Sequence, residues 1–463
     1  MMVDDAALRG PRNTDFKTLI PAAPLGVAAP TASLSERARE LFLRPDTARM
    51  GRRNRLSNFT FAVFAIAGGS GASVIAALLG SWALIGILVG RFRPDWQVSD
   101  RPIVLSSVVF FLVISTSDLV HSELGRALLS IAALLPFVIP VVLVPRMRLS
   151  RFADTLPPAF FGAAIGGLLL IPIVLLEYAF VEIRVQGLSG NPGPLSVTAL
   201  LCAGWSILHF QRGLNRWHLL IALLGAVGGS LAVVLSGMRG TWPLLPLCIG
   251  IALFAQRREI AAVWRDSPFA TRLVVSFGIV AVIGAVLVVA MPTVFTRIDQ
   301  MWSDLGLIAA NADSPTSLNL RRGMYGAAVE AISARPLFGY GAEAHWEAVT
   351  PYLNQATFEG MTFTHFHNVV LTVGVDAGLF GIVALLCLVA APVVTAWRAR
   401  GTLGGGRRLA AAMILVVAFF GAGMTNVMLF HDILDAVWVF CISLIAASVP
   451  AVTGRGAEVR QEG

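Results

Sequence analysis

Two histidines spaced two residues apart are the side chains best suited to proton chemistry in this sequence. They lie in the stretch Thr364-His365-Phe366-His367-Asn368, where a long polar segment joins an apolar block. An imidazole titrates near neutral pH, so it can act as a general base toward a hydroxyl or hydrogen-bond a phosphate oxygen. The alternative is an interfacial pair that faces lipid headgroups, and composition alone leaves both interpretations open.

Arginine side chains form a second candidate group. Arg239 lies in a short turn, Ser236–Gly240, Arg321 and Arg322 begin a helical pattern, and Arg184 lies in another short segment between apolar blocks. Guanidinium groups suit a lipid-linked phosphate or diphosphate, which they bind through paired hydrogen bonds. For any one arginine the alternative is anchoring to lipid headgroups.

Metal-ligand patterns are not evident, and we expect neither a metal nor a cofactor. Two histidines two residues apart need further zinc ligands, which no nearby Cys, His or clustered carboxylate supplies. The long polar segment contains dispersed acidic residues without a DxD pair, so a magnesium-dependent diphosphate site is not indicated either. The cysteines lie far apart in apolar stretches without CxxC spacing and are expected to be buried hydrophobes: Cys202, Cys248, Cys387 and Cys441.

Composition excludes most soluble enzyme folds. Of 463 residues, 56% are hydrophobic and 13% are charged, whereas soluble domains have roughly 45–50% and 25%. The chain is therefore expected to be a polytopic membrane protein that contacts lipid over most of its surface. Its net charge of +8 is scattered in small groups rather than a continuous patch, so a nucleic-acid partner is not expected.

Apolar blocks of about 20 residues predict an all-α protein with about 12 transmembrane helices. The first block, 56–90, is long enough for two spans, with a turn at Gly68–Gly71. The other blocks have roughly the length of one span each: 102–120, 124–145, 157–180, 194–211, 217–236, 241–255, 272–295, 367–397, 408–430 and 433–450.

The distribution of positive charge supports this arrangement. With the N-terminus inside, 28 of the 35 Lys and Arg residues lie on the inner side, as the positive-inside rule requires. An error of one span would scramble this asymmetry. Seven arginines lie on the outer side: Arg126, Arg184, Arg239, Arg297, Arg321, Arg322 and Arg335.

The predicted organisation has five parts. Residues 1–55 form a cytoplasmic, disordered tail, 56–295 spans 1–9, 296–366 a long outer loop, 367–450 spans 10–12, and 451–463 a second cytoplasmic tail. Long loops often carry function, so the loop between spans 9 and 10 is expected to contain the site.

One helix is predicted within the long loop. Leu320–Ala334 has helical spacing, with Tyr325, Val329 and Ile332 on one side. Arg335-Pro336 should end this helix. A turn is expected to follow at Gly339 and Gly341.

These motifs together resemble the O-antigen ligase and polymerase superfamily. His367-Asn368 followed by Gly378-Leu379-Phe380-Gly381 is similar to an HNx9GxxG signature at the end of the family's long outer loop. Arg321, Tyr325 and Arg335–Gly341 resemble its "R, aromatic, PLxGxG" stretch. Ser236–Gly240 is similar to its SxSRG turn, and Arg184–Pro192 to its RxxGxxxNP loop. The sequence departs from the pattern at Tyr325, where tryptophan is common, and at Met238 and Thr241.

The resemblance implies a metal-independent, inverting glycosyltransferase of the bacterial inner membrane with a periplasmic site. A glycan carried on undecaprenyl diphosphate would pass to an acceptor hydroxyl, either the lipid A core or a growing glycan. His367 would act as base or orient the acceptor hydroxyl, with Arg239 and Arg321 binding the diphosphate. Arg184, Arg322 and His365 would support substrate binding, Asn368 would orient the histidine, and Gly378 and Gly381 would let span 10 approach a neighbouring span.

Three functions remain open from the sequence. The first is an O-antigen ligase, and the alternative within the superfamily is an O-antigen or exopolysaccharide polymerase. The third is a secondary transporter or lipid-glycan flippase, because acidic residues in or near membrane spans often mark ion paths. These residues form no relay at helical spacing and the two halves contain no persuasive inverted repeat: Asp118, Glu123, Glu177, Asp376, Asp432 and Asp435.

Overall fold

The structure is a computed structural model that describes residues 47–180, 184–309, 316–426 and 428–450. Over these residues it contains helices and no strands, so the predicted all-α class is confirmed. The main helices are α1 Thr47–Ala67, α2 Gly71–Leu88, α3 Arg101–His121, α4 Leu124–Met147, α5 Leu156–Phe180, α6 Pro192–Leu208, α7 Arg216–Leu235, α8 Leu244–Asp266, α9 Phe269–Ala309, α10 Ser317–Ala334, α11 Val369–Arg398, α12 Gly405–Val416 and α13 Asp432–Ala447.

Six of the described helices are long and apolar enough to cross a membrane, namely α2, α3, α4, α5, α7 and α11. Each remaining apolar block of the sequence also overlaps a helix. The count of twelve spans and the outer position of the long loop therefore stay predictions.

Two helices extend beyond the predicted boundaries. The first helix already begins at Thr47, so residues 47–55 are helical although the sequence suggested a disordered tail through residue 55. Residues 1–46 and 451–463 lie outside the described residues. Helix α9 continues through Ala309, so the predicted loop 296–366 begins as an extension of the preceding helix.

Small residues let the central helices approach closely. A Cβ atom on Gly228 of α7 would lie 1.9 Å from the backbone oxygen of Gly167 in α5, and one on Gly167 would lie 2.3 Å from the backbone oxygen of Gly225. Within a lipid bilayer the hydrophobic effect does not drive helices together, so helix pairs are stabilised by close van der Waals packing of this kind. The α5–α7 pair thereby forms a tight contact within the main apolar core, which also includes α1, α6 and α13.

Residues 317–366, here called the insert, have a small core of their own. Helix α10 buries Met324, Ala327 and Ala331 against Phe358 and Phe366. The predicted helix is thus confirmed. Tyr325 and Ile332 of the predicted side pack partly buried against this core, whereas Val329 is 52% exposed. Small alanines form the contact surface, and apolar periodicity over one short helix did not reveal that.

The backbone of α11 is broken at Ala377 and Gly378, and the insert docks onto the break. Gly378 has φ +60°, and a Cβ atom there would lie 2.4 Å from the carbonyl carbon of Leu337. Its close approach is therefore to the insert, whereas the sequence suggested a neighbouring span. Four backbone hydrogen bonds join the two segments: Tyr340 N to Val375 O, 2.9 Å; Gly341 N to Asp376 O, 2.8 Å; Leu379 N to Pro336 O, 2.7 Å; and Phe380 N to Leu337 O, 3.4 Å.

The predicted sidedness can be tested with two single cysteines. Glu359 and Gly401 are both exposed and lie before and after α11, so a spanning α11 separates them. In a background with the exposed Cys387 replaced by Ser, we expect Glu359→Cys to react with a membrane-impermeant maleimide in cells whose outer membrane is permeabilised. Gly401→Cys should react only after the inner membrane is opened, and the reverse pattern would contradict the topology.

Candidate active site

The two histidines lie on the extended segment that leads from the insert into α11. Phe366 is fully buried in the insert core, and the flanking His365 and His367 rings lie 4.5 Å apart between centroids in an edge-to-face arrangement. His367 has φ +52°, a left-handed conformation that is uncommon outside glycine. The Tyr325 hydroxyl donates a 3.0 Å hydrogen bond to the His367 carbonyl and holds this turn.

Asn368 caps a helix, while a different asparagine contacts the histidine. The Asn368 side-chain oxygen accepts from the N–H groups of Val370 at 3.0 Å and Leu371 at 3.1 Å, which fixes the start of α11. The residue that hydrogen-bonds the His367 side chain is Asn426, which is only 7% exposed. Sequence analysis missed Asn426 because it lies inside an apolar block, where a single amide gives no pattern.

Both histidines favour the neutral form. Burial is the main cause that lowers the pKa of His367, and the nearby Arg321 guanidinium lowers it further against the opposing effect of Asn426. Burial, followed by the neighbouring His367, His345 and His431, lowers the pKa of His365 to about 4. At neutral pH each ring can therefore accept a proton. His365 Nε2 and His367 Nδ1 are buried without a hydrogen-bond partner among the described residues.

Four arginines lie near one another, and one of them, Arg321, also lies near both histidines. Arg184, Arg239 and Arg321 were expected at the site, and the structure adds Arg297 in the second half of α9. Each arises from a different segment: Arg184 precedes α6, Arg239 follows α7, Arg297 lies on α9 and Arg321 lies on α10. The position of Arg297 depends on α9 continuing beyond residue 295, which hydropathy alone did not predict. Here these four residues are called the arginine cluster.

Backbone contacts hold the cluster in place. Arg239 Nη1 donates 3.1 Å to the Arg297 carbonyl, and Arg184 Nε donates 3.4 Å to the Ser236 carbonyl. Gly237, with φ +65°, leaves room for Arg297, because a Cβ atom there would lie 2.9 Å from the guanidinium Nε. The glycine-containing turn after α7 thus positions two guanidinium groups together.

The cluster has an excess of positive charge. Burial, then mutual repulsion, lowers the pKa of Arg184 and of Arg297, and burial is also the first cause for Arg321. A guanidinium group keeps its positive charge throughout the physiological pH range. Asp304 lies 3.7 Å from Arg239 and neutralises part of this charge. Such a concentration of partly desolvated guanidinium groups attracts a multiply charged anion such as a diphosphate.

Arg322 lies apart from the cluster. It is exposed, and as the residue after Arg321 it points about 100° away around the helix axis. The structure therefore brings together His367, His365, Arg239, Arg321 and Arg184, and it places Arg322 on a different face of α10.

Among the residues that the structure describes, no three His, Cys, Asp or Glu side chains come close enough to hold a metal ion. The chemistry that the described side chains supply is a neutral imidazole beside positive charge, which suits removal of a proton from a hydroxyl next to a departing anion.

Comparison with known proteins supports the resemblance noted in the sequence. Residues 221–386 match the family model described as O-antigen ligase. The matched range contains Arg239, Arg297, Arg321, His365 and His367, whereas Arg184 precedes it. An uncharacterized protein of Haemophilus influenzae is 24% identical over 331 residues, which are 68% of this chain and 77% of that protein.

The resemblance to the O-antigen ligase and polymerase superfamily is thereby confirmed. Together with the apolar helices, the match indicates a membrane enzyme with glycosyltransferase-like ligase or polymerase activity. The substrates that this family implies are in general lipid-linked glycans. The match gives neither the donor nor the acceptor.

The low pKa of His365 predicts a loss of stability in acid. Its folded-state pKa of about 4 lies below the ordinary value of 6.5, so between these pH values only the unfolded chain binds the proton. Stability should therefore fall as the pH drops from 6.5 toward 4, by at most about 3 kcal/mol from this residue. The melting temperature of detergent-solubilised protein should decrease less over this range in His365→Gln than in wild type. Equal decreases would contradict the assignment.

Proposed function

We propose that this protein is an O-antigen ligase, which transfers a glycan from undecaprenyl diphosphate to a hydroxyl of the lipid A core. The observation that carries the proposal is that Arg321, a member of the arginine cluster, lies near His367, whose burial favours the neutral ring. The donor requires a site for a diphosphate, and the acceptor requires a base. The described side chains supply both at one end of the helix bundle.

In the proposed reaction the acceptor hydroxyl oxygen attacks the anomeric carbon of the donor sugar. The new C–O bond forms as the bond from that carbon to the diphosphate oxygen breaks, which inverts the configuration. His367 accepts the hydroxyl proton, and the carrier leaves as undecaprenyl diphosphate. Its charge is stabilised by Arg239 and Arg321, with Arg184 and Arg297 beside them.

The remaining predicted residues have supporting roles in this proposal. His365 lies beside His367 and offers a second neutral imidazole to the acceptor. Asn368 caps the start of α11, and Asn426 holds the His367 ring by a hydrogen bond. Arg322, which is exposed, is assigned to lipid headgroups or the outer part of the glycan. No step of the proposed reaction uses a metal.

Contacts of the acidic residues favour an enzyme over a transporter. Asp118 accepts hydrogen bonds from Ser130 Oγ at 2.5 Å and from the Ala342 N–H at 2.7 Å. Asp435 accepts from the Phe430 N–H at 3.1 Å. These carboxylates hold backbone segments in place, which accounts for their burial without an ion path.

Transfer by the purified protein tests the site assignment directly. In vesicles with a lipid-linked glycan donor and a lipid A core acceptor, we expect His367→Ala to lower the rate by about 10²–10⁴, as loss of a general base does. Arg239→Ala and Arg321→Ala should each lower it by roughly 10²–10³, as loss of one group that stabilises a leaving anion does. Arg126→Ala, an exposed arginine on the same predicted side, is the matched control and should transfer normally. If His367→Ala and Arg321→Ala insert normally and transfer at the wild-type rate, the assignment is wrong.

A deletion strain distinguishes the ligase from the polymerase, which uses the same donor chemistry on a different acceptor. Loss of every glycan band from lipopolysaccharide is the result expected for a ligase. Retention of a band with one repeat would indicate an O-antigen polymerase. Unchanged lipopolysaccharide with loss of exopolysaccharide would indicate the secreted-polymer branch.

A further inference from the structure

A third histidine lies behind the two candidate active-site histidines. His345, in the short helix His345–Val349 of the insert, has its Nδ1 atom 3.2 Å from Asp376 Oδ1 of α11. Its ring lies 5.4 Å from that of Phe366 in an edge-to-face arrangement. The backbone oxygen of Phe363 also hydrogen-bonds the ring and stabilises its charged form. One side chain therefore contacts α11 and two residues of the stretch that carries His365 and His367.

The pair is largely removed from water. The exposed fraction is 13% for the His345 side chain and 1% for that of Asp376. A buried carboxylate without a charged partner is strongly unfavourable, so Asp376 needs the positive charge of His345. The pair therefore connects the break in α11 to the short helix His345–Val349 of the insert.

We infer that His345, held by Asp376, is a positioning residue that fixes His365 and His367 for glycosyl transfer; this role rests on the proposed function. Phe366 connects His345 to these two histidines. It is fully buried, contacts the His345 ring, and donates from its N–H to Thr372 Oγ1 at 3.2 Å. Since His365 and His367 flank Phe366 directly, any displacement of Phe366 moves both rings.

The charges around His345 determine when it is protonated. Asp376 of α11 and Glu343 of its own turn favour the charged ring, whereas burial and the neighbouring His365 oppose it. Asp118 of α3 also lies near the carboxylates of Asp376 and Glu343. Although burial is the largest single cause and disfavours the charge, the carboxylates and the Phe363 carbonyl outweigh it, so the pKa of His345 is raised above its ordinary value.

The two histidines should therefore limit activity from opposite sides. Transfer requires neutral His367, whose pKa is lowered, and so it rises with pH through that value. Positioning requires charged His345, so transfer falls as pH rises through its raised pKa. The transfer rate should therefore follow a bell-shaped pH profile. Deprotonation of His345 sets its alkaline limb, and protonation of His367 sets its acidic limb.

Rate profiles of two variants test this inference. We expect His345→Gln to lower kcat by about tenfold or more, as misplacement of reacting groups does, with little change in KM for the donor and without the alkaline limb. Asp376→Asn should move the alkaline limb to lower pH, because the carboxylate that favours the charged ring is lost. Glu347→Gln, an exposed position on the same short helix, is the matched control. If His345 had only a structural role, both variants would lower the transfer rate equally at every pH and would not shift the alkaline limb. That result would overturn the inference.

Hydrogen–deuterium exchange provides a measurement that does not depend on activity. In purified, folded protein, amides of residues 363–368 should exchange about tenfold faster or more in His345→Gln and Asp376→Asn than in wild type and Glu347→Gln. Unchanged exchange in both variants would overturn the positioning role. Faster exchange combined with a wild-type protein that transfers no glycan would contradict the proposed function alone and support the contact of His345 with the histidine segment.

Discussion

The geometry of the site depends on the backbone contact between the insert and the broken turn of α11. A continuous helix satisfies its own N–H and C=O groups and offers none to a neighbour. Because α11 is interrupted at Ala377 and Gly378, its carbonyl and amide groups on both sides of the break pair with Pro336–Gly341. Ser117 of α3 reinforces the junction by donating to the carbonyls of Phe338 and Asp376. The insert is therefore held by directional bonds at a point close to the candidate histidines.

Electrostatic repulsion is the second constraint. The positively charged guanidinium groups of the arginine cluster repel one another, and their burial adds a desolvation penalty to this repulsion. They stay together because separate helices and one short turn fix their backbones and because Asp304 offsets part of the charge. An anion that enters the cluster relieves this repulsion, so part of its binding free energy comes from charges that the fold has already brought together.

Much of the fold and of the candidate site could be predicted from the sequence, for physical reasons. Apolar blocks long enough to span lipid leave few alternatives to helices, so the all-α class followed from composition. Arginines in short segments and paired histidines at a polar–apolar junction are conspicuous against an apolar background, and the structure brings Arg184, Arg239, Arg321, His365 and His367 near one another.

Other features depended on tertiary contacts that no local pattern encodes. Asn426 and Asp376 look like isolated polar residues in apolar blocks, and their partners lie far away in the chain. Arg297 joined the cluster because α9 continues past the apolar block, and its 41 residues exceed the ~20 that cross the hydrocarbon core. From the sequence Asn368 is expected to orient the histidine, but its side-chain oxygen accepts from two N–H groups at the start of α11 and so caps that helix.

The break in α11 also bears on how such proteins diversify. Residues 336–341 and 375–380 recognise each other mainly through main-chain atoms, and Gly378 provides the room for that contact. Exposed side chains elsewhere in the insert, such as Glu347 and Glu359, can therefore vary without disturbing the junction. Relatives can therefore differ in the exposed surface of the insert and keep the same main-chain junction, and a chimaera of two such proteins would need to keep the glycine at position 378 that gives this junction its room.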